Sequence, residues 1–169
     1  MKVASRGVQQ ALAESRQSIT ERWLEQALGS YPGPVSRFLL QEKDPFHNPV
    51  GQAFREGLPV LVAELAGEMD PGRLRAALDG IVRIRAVQDF SASQAVAFVF
   101  LLRKVIREEL RFETEALAWL EDRIDELALV AFDLYTQCRE QLSQIRTQEA
   151  RRRVYVHGKL DPAQRENGP

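Results

Sequence analysis

The side chains able to do chemistry are few and scattered. Two histidines, His47 and His157, and one cysteine, Cys138, are the whole supply of imidazole and thiol in 169 residues. His47 stands in the run Asp44-Pro45-Phe46-His47-Asn48-Pro49. No histidine or cysteine lies three or four residues from either histidine, the spacing that sets two ligands on one helix face. No metal site is expected, and a haem- or other cofactor-binding gas or redox sensor, with His47 as axial ligand, is the alternative reading. Cys138 falls among apolar helix positions, where a thiol behaves as a small hydrophobe, and no partnered base is in view to activate it. Glu113, Glu115, Glu121, Asp122, Asp125 and Glu126 interleave with apolar residues as a solvated helix face does. The glycines sit at helix ends rather than in a phosphate-cradling loop. No catalytic residue and no cofactor is assigned, and the chain reads as a non-enzyme.

Arginine is the remaining candidate. Arg73, Arg75, Arg83 and Arg85 lie along one expected helix, and the spacing of Asp79 to Arg83 and of Arg85 to Asp89 suits ion pairs one helical turn apart. Yet Ile81, Val82, Ile84 and Val87 surround Arg83 and Arg85 with apolar positions. At least one guanidinium should therefore be partly buried and need a fixed partner. Arg83, Arg85 and Asp89 are the candidate ligand- or partner-binding residues. A second cluster, Arg146 with Arg151, Arg152 and Arg153, complements the dipole of a helix C-terminus. A net charge of -1 and a pI near 6.2 give no global electrostatic case for nucleic acid or an anionic membrane.

The elements that must position these groups are helices. From Val8 to Leu28, apolar residues at gaps of three, four and seven predict one amphipathic helix, ended by Gly29-Ser30-Tyr31-Pro32-Gly33-Pro34. Val35 to Gln41 has room for a turn or two. Asn48-Pro49 and Asp70-Pro71 each read as an N-cap followed by proline at the first helical position. The first opens a helix through Phe54 and Leu65, with Pro59 inside it and a kink or break expected near Glu56 to Leu58. The second opens a helix with Leu74, Leu78, Ile81, Val82 and Ile84 inward. Ser91 and Gln94 form a capping-box pattern ahead of Ala95-Val96-Ala97-Phe98-Val99-Phe100-Leu101-Leu102. That run is apolar all round, which predicts a helix buried by its neighbours and ending near Phe112. With no convincing strand, the fold class is all-α: a single-domain helical bundle over residues 1–157, with a long C-terminal helix and a disordered tail over 158–169. The apolar run is far short of the roughly 20 residues that span a bilayer. A lone cysteine fits a reducing compartment, so a cytoplasmic protein is expected.

The last helix carries a narrow seam: Leu117, Leu120, Ile124, Leu127, Ala131 and Leu134, with a period near 3.5. A helix of about 30 residues spans roughly 45 Å, whereas a domain of this length is about 35 Å across. The seam packs on the central helix or pairs with a second copy of the chain; the far end must project or meet a partner, and a symmetric dimer is expected.

The run from Ile81 to Val96, the loop Asp44 to Gly51, Arg123-Ile124-Asp125, Phe132-Asp133, Trp23, Tyr135 and Cys138-Arg139-Glu140 together resemble the N-terminal domain of the RsbRD-type RsbT co-antagonist proteins. The resemblance covers roughly residues 10 to 153. It implies an all-helical bacterial sensory or regulatory domain of stressosome-type signalling, globin-like without haem, that dimerises and acts through a protein partner or a small ligand. Sixteen residues follow Arg153, so a stand-alone domain without a STAS output domain is expected. The resemblance assigns no binding residue.

Overall fold

Cap chemistry decides where the helices of the second half of the bundle begin. Asn48 accepts from the Gly51 amide at 2.7 Å, and its Nδ2 donates to the carbonyls of Leu39 and Glu42, each at 2.8 Å. One buried amide thus starts one helix and ends the previous one. Asp70 accepts from the Arg73 amide at 2.8 Å, and Ser91 and Gln94 complete the reciprocal capping box. The computed structural model describes residues 2–110 and 114–159. Seven helices and no strand are found among the described residues: α1 (Lys2–Glu14), α2 (Arg16–Gly29), α3 (Gly33–Gln41), α4 (Pro49–Ala66), α5 (Pro71–Val87), α6 (Ala92–Glu109) and α7 (Thr114–Lys159). The all-α class and the long last helix are as the sequence predicted.

The core lies where α2 meets α4 and α6, and where α7 covers α5 and α6. Trp23 of α2 stacks on Phe98 of α6 with ring centroids 6.0 Å apart, and its indole nitrogen donates to the Phe98 carbonyl at 2.7 Å. Phe54 of α4 meets Phe98 edge-on at 5.5 Å. Between α4 and α5 the backbones approach closely at Gly57, where an added Cβ would stand 2.7 Å from the Ala77 carbonyl oxygen.

Four expectations are corrected. The helix predicted from Val8 to Leu28 is two helices divided at Ser15. The division lets Val8 and Leu12 face α4 and α7 while Ile19, Trp23 and Ala27 face α4 and α6. No break occurs at Pro59, because α4 runs unbroken through it. Phe54 and Leu58 before the proline and Leu61 and Leu65 after it are all buried, and that packing outweighs the roughly 3 kcal/mol an internal proline costs. The apolar α6 is not covered all round, since Ala97 and Phe100 remain exposed, and it ends at Glu109. Finally, α7 is 46 residues long, about 69 Å at 1.5 Å per residue. It packs as far as Leu142 and is exposed from Ser143 to Arg153. It includes Gly158 and Lys159; the rest of the expected tail lies outside the described residues.

Asn48→Ala removes the cap and one of the two donors to each of the Leu39 and Glu42 carbonyls, Arg55 Nη2 remaining at 3.0 and 3.1 Å. It is expected to lower unfolding free energy by roughly 1–2 kcal/mol in urea denaturation. A loss below about 0.5 kcal/mol would show that the two helices are held by their apolar contacts alone.

Candidate functional site

Positions 74, 78, 81, 82, 85 and 86 form the buried stripe of α5, and one of them is an arginine. Arg85 is 1% exposed. Its guanidinium carbon lies 5.1–5.4 Å from the ring centroids of Phe54, Phe98, Tyr31 and Phe90, contributed by four different segments of the chain. Nη1 donates to the carbonyls of Gln94, at 2.9 Å, and Ala95, at 3.5 Å, in the first turns of α6. Nε and Nη2 are buried without a hydrogen-bond partner. Burial pushes the guanidinium pKa down, with Tyr31 opposing, and burial pushes the Tyr31 phenol up, with Arg85 opposing. A cation is thus held in an aromatic cage by ring faces and two carbonyls.

The turn beyond Arg85 is built from its own backbone. The Phe90 amide donates to the Arg85 carbonyl at 3.2 Å and the Asp89 amide to Ala86 at 3.4 Å, the two bonds of a Schellman ending. Asp89 occupies the left-handed position, with φ of 58°, which aspartate tolerates better than most residues. α7 clasps this turn from outside. Tyr135 Oη donates to the Phe90 carbonyl at 2.5 Å, and Arg139 Nη1 reaches both the Ala86 carbonyl, at 3.2 Å, and Asp89, at 2.6 Å. The Arg139 bond, aided by Arg146 at 3.8 Å, holds the Asp89 carboxyl below the usual carboxylate range. This pair contributes above the ordinary carboxylate pKa and is lost as pH falls through the lowered folded value.

The arginines expected to act together are therefore separated. Arg83, two residues and some 200° around the helix from Arg85, is exposed and forms the expected pair with Asp79, at 3.0 and 3.2 Å. The pairing expected between Arg85 and Asp89 does not form, because Asp89 leaves the helix and turns to Arg139. Nor is it Ile84 or Val87 that fills the core beside Val82: Ile84 is half-buried and Val87 exposed. Arg73 binds the buried Glu64 at 2.9 Å, and Arg75 reaches Gln137 at 2.9 Å. The seam of α7 turns inward. Leu120, Ile124, Leu127, Ala131 and Leu134 are buried in the chain's own core and Leu117 is half-buried, since α5 and α6 need that stripe as their cover. His47 is on the surface, its side chain 73% exposed and 3.2 Å from Asp44. The side chain of His157 lies outside the described residues. Cys138 is buried on the seam, and its thiol pKa is pushed up by burial. No group of three metal-binding side chains occurs among the described residues.

The residues that local spacing did not reveal are the walls. Tyr31 sits in a stretch that reads only as a helix breaker, and nothing near it in sequence points to Arg85. The family model for the RsbT co-antagonist protein rsbRD N-terminal domain matches residues 17–152. The chain belongs to this family. Its matched part runs from the start of α2 to the projecting turns of α7, so cage, turn and clasp all lie within the RsbRD N-terminal domain. The family places the domain in the regulation of stress signalling. No curated protein and no solved structure matches the chain. No helix among the described residues is long and apolar enough to cross a membrane.

A buried guanidinium without a carboxylate is costly, and the α6 carbonyls it touches keep their helical bonds without it. Arg85→Met is expected to be neutral to stabilising, by up to about 2 kcal/mol in urea denaturation. A loss greater than about 2 kcal/mol would show that the cage is a net source of stability.

Proposed function

We propose that the domain is a cytoplasmic, non-enzymatic sensory module of stress signalling that works as a symmetric pair of copies and passes its state to a protein partner. The observation that carries this reading is an apolar face on α6 and α7. Phe100 is 47% exposed, Leu129 68% and Phe132 45%, and they border a groove of about 800 Å³ floored by Val96, Ala97 and Ala128. No charged side chain lines it, the composition of an interface centre. Ridge and groove lie side by side on one face, so a two-fold rotation seats each copy's ridge in the other's groove. The pairing surface is thus the outer face of α7, with α6 beside it, rather than the inward seam the heptad spacing pointed to.

The chemically able groups support a non-catalytic role by where they stand. Cys138 is core, His47 is on the surface, and Asp125 and Glu121 are engaged by Arg103 and Arg107 across the α6–α7 pair. The route outward is α7 itself. Its middle clasps the turn below Arg85, with Arg146 still reaching Asp89, its outer face borders the groove, and further along it carries Arg151 to Arg153 beyond the bundle. A change at the turn is therefore carried along one rigid element to a partner at its end.

Wild-type protein at tens of micromolar is expected to scatter light as twice its 19.2 kDa chain mass. Leu129→Arg is expected to give the chain mass with unchanged helical circular dichroism, since its side chain carries little of the core. A monomeric wild type would sink the pairing.

A further inference from the structure

The buried side-chain polar atoms without a hydrogen-bond partner among the described residues are all arginine nitrogens. In Arg55, Arg103 and Arg123 one nitrogen is concerned; in Arg85 there are two, Nε and Nη2. Those two form a single edge of the guanidinium, with parallel N–H bonds that match the two oxygens of a carboxylate. Nη1, on the far side, is engaged by the Gln94 and Ala95 carbonyls, which fixes the plane of the group and presents the opposite edge to the cage.

We propose that the cage around Arg85 is a binding site for a small organic monocarboxylate, whose oxygens take the Nε–Nη2 edge and whose apolar body lies against the rings of Tyr31 and Phe90. Three observations set the ligand class. The site offers one guanidinium, since Arg139 is committed to Asp89 and Arg83 to Asp79, so a single negative charge balances it. The donors are planar and paired, which suits a carboxylate better than a spherical anion. The remaining walls are aromatic, which favours an acid with a hydrocarbon part over a strongly hydrated inorganic ion. Because the cation is already out of water, the anion meets it without the protein's share of the desolvation cost.

Entry is through the outer rings. Phe54 and Phe98 are deep in the core, whereas Phe90 is half-buried and the Tyr31 hydroxyl, 3.4 Å from Gln88 and interacting with the Arg85 guanidinium, is the group a carboxylate would displace. The Phe90 backbone is held by Tyr135, so its ring and that of Tyr31, 5.5 Å apart, are the parts able to separate. That movement bears directly on the turn that α7 clasps. The proposal gives the sensory reading its ligand class but does not depend on the pairing of two copies.

The test is titration of the purified protein with sodium propionate at fixed ionic strength. It is followed by the arginine Nε–H resonances in proton–nitrogen spectra and by the thermal unfolding midpoint. One buried Nε–H resonance is expected to shift saturably and the midpoint to rise with it. Arg85→Met should show neither response, and Arg85→Lys, which keeps the charge but loses the paired edge, should bind at least about tenfold more weakly. Phe90→Leu, which leaves Arg85 in place, should change the affinity and so tests the wall independently. Nitrate and chloride should bind more weakly than propionate. The absence of a saturable response, an equal response in Arg85→Met, or nitrate or chloride binding as tightly as propionate would overturn the proposal. The monomeric Leu129→Arg protein should respond as wild type does, so failure of the site and failure of the pairing are read separately.

Discussion

A guanidinium taken out of water must be compensated locally, and in this domain the compensation for Arg85 organises the middle of the chain. The cation draws in an aromatic ring from the α2–α3 connection, one from α4, one from the α5–α6 turn and one from α6, and it binds the two carbonyls that open α6. An apolar side chain at position 85 would fill the same stripe of α5 and satisfy the helix period equally well. The arginine instead places a charged, directional contact in that stripe, held by the Gln94 and Ala95 carbonyls and four ring faces.

The consequences run outward from that contact. Arg85 contributes its carbonyl to the turn that ends α5, so the cage and the turn move as one object. α7 grips the same turn with a tyrosine hydroxyl and an arginine, and its inward stripe covers α5 and α6 along their length. One helix thereby holds the turn, borders the exposed apolar face and extends beyond the bundle. In the sensory role proposed above, that continuity is what would link a local event at the cage to the far end of a long helix.

Much of this was legible before any coordinates. The pairs Asn48-Pro49 and Asp70-Pro71 and the Ser91–Gln94 box fix helix starts through bonds made within a few residues, so local sequence suffices to place them. The Asp79–Arg83 pair is legible for the same reason. Arg85 was half legible: the apolar residues around Arg83 and Arg85 pointed to at least one partly buried guanidinium, but local spacing offered both an ion pair and did not say which of them turns inward. What failed were inferences about what lies opposite. The period of the α7 seam is correct, but period carries no information on whether the covering surface belongs to the same chain. A break at Pro59 and the continuity of the helix through Ser15 were misjudged because local propensity was set against packing that only the assembled bundle supplies.

The sequence by itself determined the fold class, the helix starts, the family and the Asp79–Arg83 pair, since each is carried by patterns among residues close together in the chain. Tertiary structure alone decided that Tyr31, Phe54, Phe90 and Phe98 converge on Arg85, that Asp89 belongs to Arg139, and that the open apolar face is Phe100, Leu129 and Phe132. Those contacts join residues tens of positions apart. Their partners are selected by how whole helices pack, and helix packing is set by the sum of many apolar contacts that no single spacing records.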